Sequence, residues 1–339
     1  MRKVKTEDAV GLPLLHDITG ILEGGFKGVV FRRNHIIQSE DISTLKNIGK
    51  DHVYVGELEA NEVHEEDAAK LLAPHVVGEN VSFNEPTEGK ISLSSEVDGL
   101  LSINLDGLNK INSVGDYTIA SLPNYMEVKK NQKLAGLRIV PLWTENETVD
   151  TAIEIAKLNT PIFSVKEYRK LKVGIIITGS EVYYGRIKDL FEPVLRKKLS
   201  KYDAEILDVK KCPDDLDFIK SSAQNFLDMG ADLIIFTGGM SVDPDDLTPT
   251  VIKSLSDEMI TQGVPMQPGN MLTIGKVGKA ILIGVPGASI HAPTTSFEIT
   301  LPKIFAGVEI TKEDINAMGA GGLCLNCEVC HYPICFFGR

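Results

Sequence analysis

The run Thr237-Gly238-Gly239-Met240-Ser241-Val242-Asp243-Pro244-Asp245-Asp246-Leu247-Thr248-Pro249 joins two adjacent glycines to three closely spaced aspartates. Glycines let a backbone approach a ligand with no Cβ in the way, and the N–H groups opening a following helix suit an anion. Aspartates at this density repel a bare phosphate. They make sense with a bridging cation, or with something to deprotonate. The chemistry indicated is a phosphorylated ligand with a divalent metal, for which Asp243 and Asp246 are the candidate ligands. The alternative is a polar turn in which Asp243 or Asp245 caps a helix.

Two more loops share this grammar. Thr178-Gly179-Ser180-Glu181-Val182 follows the apolar run Val173–Ile177 and precedes Phe191, Val194, Leu195 and Leu199 at helical spacing. Pro268-Gly269-Asn270-Met271 pairs with Gly284-Val285-Pro286-Gly287-Ala288-Ser289, which ends the apolar run Ala280–Ile283. The central loop itself lies between the run Ala231–Phe236 and a helical pattern of Val251, Ile252, Leu255 and Met259. Short apolar runs bounded by turns read as buried strands. Strand, glycine loop, then helix is how a doubly wound, mostly parallel sheet gathers ligand loops at the carboxyl ends of its strands.

On these loops, residues 171–305 resemble the molybdopterin-binding domain shared by molybdopterin adenylyltransferases and molybdopterin molybdenumtransferases. Asp246-Leu247-Thr248-Pro249 is similar to the adenylyltransferase loop ending, and Ser241-Val242 to the molybdenumtransferases. The resemblance implies an α/β fold: a three-layer domain with a mostly parallel sheet. It places Glu181 and Asp246 on acidic positions associated with metal, molybdate or the reacting phosphoanhydride. It also implies that Thr178, Gly179, Ser180, Gly238, Gly239, Ser241, Pro268, Gly269, Pro286 and Gly287 bind the cofactor, and that the protein is a homodimer. Several positions depart from the family. Ser180 replaces the usual first acid, and Asp243 a glycine. Asn270 stands where a phosphate-binding lysine is common, Ala288-Ser289 replace Asn-Pro, and Phe191 replaces an asparagine.

The remaining sequence sets the context. At 339 residues, two or three domains are expected, and 43% apolar residues support real cores. A net charge of −12 argues against nucleic acid or an anionic membrane surface as partner. No run is long enough to span a membrane. The charged start shows no secretory h-region, so a cytoplasmic location is expected.

Four regions are expected: an α/β lobe (1–60), a β-rich module (61–165), the molybdopterin-binding domain (166–310) and a cysteine-rich tail (311–339). In the lobe, His16 beside Asp17 reads as a catalytic pair or as structural residues on a strand; Arg32 and Arg33 reach phosphate or form a solvated face. The module shows period-2 runs broken by Gly, Asp and Asn, after a helix expected to open at Glu62–Glu66, and carries no catalytic constellation. The Thr-Gly-Ala-Pro-type loop of the full-length transferases is missing there. Asp214 and Asp215 read as a helix cap, His291 as the start of a helix, and Cys212 as a small buried residue.

The tail holds Cys324, Cys327, Cys330 and Cys335, a C-x2-C-x2-C-x4-C pattern near the bacterial ferredoxin run but one residue longer in its last gap. Thiolates this close fit a zinc ion or an iron–sulfur cluster; the alternative is a redox-sensitive end whose thiols pair opportunistically. Two functions stay open. One is a molybdenum-cofactor enzyme that inserts molybdate into molybdopterin or its adenylylated form, with Mg²⁺-dependent cleavage of the phosphoanhydride. The other is a non-catalytic carrier that holds the cofactor for a molybdoenzyme.

Overall fold

The computed structural model describes residues 2–21, 25, 27–87, 89–241, 243–244 and 246–338. Val242 and Asp245 of the central loop lie outside the described residues. The chain divides into two compact units. Met1–Glu96, Ile103–Leu122 and Lys130–Ser164 make the first; Val97–Ser102, Pro123–Lys129 and Val165–Arg339 make the second.

In the first unit, Arg2–Lys5 pairs antiparallel with His52–Val55, over a small core of Ala9, Leu14, Ile18, Ile37, Leu45, Val53 and Val55. His16 lies on a bend before the strand Ile18–Ile21, not on a strand. The β-rich part is a four-stranded antiparallel sheet in the order Val81–Phe83, Ile91–Ser95, Lys133–Ile139, Tyr117–Ser121. Its alternation is visible in Ile91–Ser95, where Ile91, Leu93 and Ser95 are buried and the residues between are half-buried. The helix expected to open at Glu62 starts later, because Glu62–His64 is a strand paired with Trp143–Glu145; the helix runs Glu65–Val76. A helix at Leu105–Asn112 was not expected. Asn104 caps it by accepting from the Gly107 N–H at 3.0 Å, and a Cβ at Gly107 would come within 2.5 Å of Ile162 Cδ1. Close packing therefore demands the residue that weakens the helical pattern.

The second unit carries a six-stranded sheet in the order Glu205–Cys212, Lys172–Thr178, Leu233–Thr237, Ala280–Val285, Thr273–Val277, Glu258–Gln262. The first four strands are parallel and the last two join antiparallel. Strand residues alternate between two cores. Val173, Ile175, Ile177, Leu233, Ile235, Ile283 and Val285 meet Leu195, Leu199, Phe297, Leu301 and Phe305 on one face. Ile176, Ile234, Phe236 and Leu282 meet Ile219, Ala223, Phe226, Val251 and Ile252 on the other. Burial on both faces explains why these strands read as continuous apolar runs. The fold is a three-layer α/β arrangement with a mostly parallel sheet.

Two local expectations change. The helix after the central loop is Thr248–Leu255, and Met259 belongs to the strand Glu258–Gln262. His291 does not open a helix; it follows the 3-10 turn Gly287–Ile290, and the helix Ser296–Phe305 begins at a capping box of Thr295 and Glu298.

One buried histidine in the first unit sets a pH dependence. His64 is 1% exposed, and its Nδ1 accepts the Glu66 N–H at 3.2 Å. Desolvation, helped by the nearby Arg33 charge, pushes its pKa down to about 4. The folded pKa lies below the unfolded value, so stability present above pH 6.5 is lost as pH falls toward 4, by about 2–3 kcal/mol. His64→Asn keeps a capping acceptor without the titration. Urea denaturation at pH 7 and pH 4 should show a smaller loss in that variant than in the unsubstituted chain; equal losses would assign the dependence to other groups.

Candidate functional site

The strand order around Lys172–Thr178 reverses. The next strand in sequence lies on one side of it and Leu233–Thr237 on the other. Ligands of open α/β sheets bind at the carboxyl ends of the strands flanking such a switch point. The register brings the strand ends level, with Ile177 opposite Thr237, Thr237 opposite Val285, and Thr178 opposite Cys212. The three glycine loops therefore start side by side.

At the switch point the first two loops interlock. Gly238 has φ +86°, and a Cβ there would sit 2.0 Å from the Thr178 carbonyl oxygen. The Thr248 hydroxyl donates to the Gly238 carbonyl at 2.8 Å and lies 3.2 Å from Thr178 Oγ1. Gly239 has φ +52°, and a Cβ on it would lie 3.1 Å from both threonine hydroxyls. The Thr237 hydroxyl is fully buried with no hydrogen-bond partner among the described residues. The helix start offers less to an anion than the sequence suggests: the Thr248 N–H goes to Gly239 O at 3.2 Å, and Pro249 has none.

Two neighbouring cavities open here. One, of about 240 Å³, is lined by Thr178, Gly179, Glu181, Lys188, Asp214 and Asp246 among others. The second, of about 390 Å³, is lined by Ser241, Asp243, Gly269, Asn270, Pro286 and Gly287 among others. Gly238, Gly239, Phe191 and Asp246 line both. Glu181 and Asp246 thus face the same cavity, while Asp243 and the third loop face the other. Pro268 lines neither; it borders a cavity under the cysteine tail. Gly269, with φ +110°, is held against Ser296, whose hydroxyl donates to the Gly269 carbonyl at 2.6 Å.

Gly179 has φ +138°, and a Cβ on it would lie 2.9 Å from Glu181 Oε1, so the Glu181 carboxylate folds over this glycine. Ser180 and Asp214 bond reciprocally: the Ser180 N–H donates to Asp214 Oδ2 at 2.8 Å and the Asp214 N–H to Ser180 Oγ at 3.2 Å. The joint reading of Asp214 and Asp215 as a cap is corrected accordingly. Asp215 alone caps the helix Leu216–Asp228, by accepting from the Phe218 N–H at 2.8 Å, and Asp214 belongs to the cavity. Asp246 braces its own loop, accepting from the Asp243 N–H at 3.1 Å while its N–H donates to Asp243 O at 3.0 Å.

Sequence reasoning passed over Asp214, Thr248 and Lys188. Asp214 needed the strand register. Thr248 needed the close approach of two loops. Lys188 is the basic residue lining the first cavity, whereas Asn270 lines the second. Among the described residues, no three His, Cys, Asp or Glu side chains gather to hold a metal ion. His16, Asp17 and Arg33 belong to the first unit, where the Arg33 N–H donates to Asp17 at 2.8 Å and its guanidinium to Asp67 at 2.9 Å. No helix among the described residues is long and apolar enough to cross a membrane.

Comparison with known proteins bears on this site. Residues 174–306 match the family described as "Probable molybdopterin binding domain", and residues 3–57 match one described as a domain of unknown function. A molybdopterin molybdenumtransferase of Haemophilus influenzae is 30% identical over 155 residues, which cover 42% of this chain and 37% of that protein. A CinA-like protein of Mycolicibacterium gilvum is 30% identical over 115 residues, or 34% of this chain and 26% of that protein. A crystal structure of the molybdopterin biosynthesis enzyme MoaB from Thermus thermophilus aligns with 23% identity over 42% of this chain and 97% of that one, at a TM-score of 0.36. The chain spans little more than a third of the length of the curated molybdenumtransferase.

The two glycine types give a direct check. Gly238→Ala should lower stability by at least about 2 kcal/mol, from positive φ and backbone collision together. A Cβ at Gly287 meets nothing within 4 Å, so Gly287→Ala should stay within about 0.5 kcal/mol of the unsubstituted chain. Urea denaturation midpoints of both variants decide it; a stable Gly238→Ala chain would contradict the interlock.

Proposed function

We propose that residues 174–306, which match the family described as "Probable molybdopterin binding domain", bind molybdopterin or adenylylated molybdopterin in the three loops and that the chain serves molybdenum-cofactor biosynthesis. The observation that carries this is the pair of contiguous cavities at the switch point, both lined by Gly238, Gly239 and Asp246. Both glycines line both cavities, which leaves backbone open to a ligand there.

The proposed reaction is molybdate insertion with cleavage of the phosphoanhydride and release of AMP. Asp246 and Glu181 would hold Mg²⁺, which supplies Lewis-acid polarisation of the phosphoanhydride. Asp243, on the adjoining cavity, is the further candidate ligand. A protein carboxylate pair completed by substrate phosphates is the usual way Mg²⁺ is held, so the lack of a preformed three-ligand group suits it. Lys188 offsets charge on the phosphates, and Asp246, braced by the Asp243 N–H, is fixed relative to both cavities. Asp214 supplies a carboxylate beside Ser180, where the resemblance leads one to expect an acid. The homodimer is part of this proposal by resemblance, the cytoplasmic setting is its default, and service to a molybdoenzyme belongs to the carrier reading below. Thiolate metal binding in the tail, by zinc or an iron–sulfur cluster, is proposed on the spacing of Cys324, Cys327, Cys330 and Cys335.

The second reading is a carrier that binds the cofactor without turnover. Asn270, in place of the common phosphate-binding lysine, lines the second cavity and favours it. Calorimetric titration with molybdopterin and its adenylylated form, with Mg²⁺ and molybdate present, separates the two. Binding with AMP release supports the enzyme, tight binding without release supports the carrier, and no binding overturns both. In the enzyme, Asp246→Asn should leave the fold intact and cut Mg²⁺-dependent AMP release by about 10–100-fold; unchanged release would remove Asp246 from the metal site.

A further inference from the structure

Residues 321–338 form a closed loop with no helix or strand of its own. Its base is tied by the Gly338 N–H to Gly321 O at 3.0 Å. It is stitched to the core by the Gln267 N–H to Gly322 O and the Cys324 N–H to Gln267 O, both at 2.8 Å. Phe337 is buried, and a Cβ at Gly338 would lie 2.3 Å from Ile299. Both ends are therefore fixed. Between them Leu325, Val329 and Ile334 are largely exposed, while Cys324, Tyr332 and Cys335 pack partly buried against the main core, so the loop leans on that core and has none of its own. An unstructured loop of this length in a compact unit needs some other organiser.

The cysteines supply one. Cys324, Cys327, Cys330 and Cys335 are all free, and all four line a single cavity of about 580 Å³ whose far wall is Pro268 and His291–Thr294. Asn326, between the first two cysteines, takes φ +53°, and its N–H points at Cys324 Sγ at 3.4 Å. Thr294 Oγ1 lies 3.5 Å from Cys330 Sγ. Hydrogen bonds to sulfur are the usual outer shell of thiolate metal centres.

We propose that the four tail cysteines ligate one [4Fe–4S]-type cluster in this cavity, closing the 321–338 loop onto the core. A zinc ion draws four ligands to one point, and its cysteines usually come as two separated pairs. Here three cysteines stand at successive spacings of three with the fourth close behind; all four line one cavity, while no three of them gather at a point as a single-ion site among the described residues. That arrangement suits a cluster, whose ligands attach at separate corners. The proposal rests on the tail and stands or falls independently of molybdopterin binding.

The test is metal and sulfide analysis of the full chain purified without oxygen, before and after incubation with ferrous iron and sulfide. About four irons and four sulfides per chain, with a brown absorption bleached by dithionite, are expected of such a cluster. Cys327→Ser and Cys330→Ser, at exposed positions, should fold normally by circular dichroism and lose the chromophore. Cys212→Ala, buried away from the tail, should keep it. One zinc per chain and no iron would overturn the cluster. Four titratable thiols with no metal after reconstitution would overturn the site.

Discussion

The second unit turns on the contact between the Thr178 carbonyl and Gly238. Two parallel strands deliver their loops at one level, and the second can pass the first only if the residue there has no side chain. Thr248 then fastens the crossing with its hydroxyl on Gly238 O. Three consequences follow from the interlock. The first helix turn is drawn toward the strand ends, Asp246 is held between two cavities, and Gly239 is left facing both. A side chain at Gly238 would drive into the Thr178 carbonyl, and one at Gly239 would crowd the Thr178 and Thr248 hydroxyls, so either would push the two loops apart.

Electrostatics explains why such a crossing needs company. The chain carries a net charge of −12, and the cavity beside Gly238 gathers Glu181, Asp214 and Asp246 against Lys188. Asp214 is partly satisfied by the Ser180 N–H, and Asp246 by the Asp243 N–H. Backbone donors can hold carboxylates in place without cancelling their charge. An anionic ligand in such a site is favoured by a cation at its side, since like charges repel. The acidic lining and the phosphate reading therefore conflict unless a divalent metal comes with the ligand.

Much of this was legible in the sequence because burial on both faces writes itself as unbroken apolar runs. Val173–Ile177, Ala231–Phe236 and Ala280–Ile283 identify themselves as central parallel strands, and the glycines that follow locate the loops. What stayed hidden depended on partners distant in the chain. Asp214 reads like the cap that Asp215 is, until Cys212 is known to lie opposite Thr178. Met259 falls at helical spacing from Leu255, yet the helix ends there because the Asp257 N–H turns to Lys276 O and its carboxylate to the Gly278 N–H. The helix Leu105–Asn112 was masked by Gly107, a residue required by Ile162 and not by the helix.

The substitution of Ser180 for an acid looks at first like the loss of a function. Ser180 cannot supply a carboxylate, yet its N–H and hydroxyl bind Asp214 on the neighbouring edge of the sheet, and Asp214 lines the same cavity as Glu181. A carboxylate delivered from beyond the next strand lines the same cavity, held by the Ser180 N–H on its Oδ2 while the Asp214 backbone N–H donates to Ser180 Oγ. A serine alone would be poor evidence for chemistry. A serine that orients an acid keeps the cavity's charge intact while moving its attachment point, so this departure counts less against an enzyme than the sequence alone suggests. The change at Asn270 has no comparable compensation in its own cavity. Lys188 lines the adjoining one, so the positive charge available to a ligand lies beside the first loop and not the third. That shifts where a phosphate would be gripped, from the Pro286 side toward the Glu181 side.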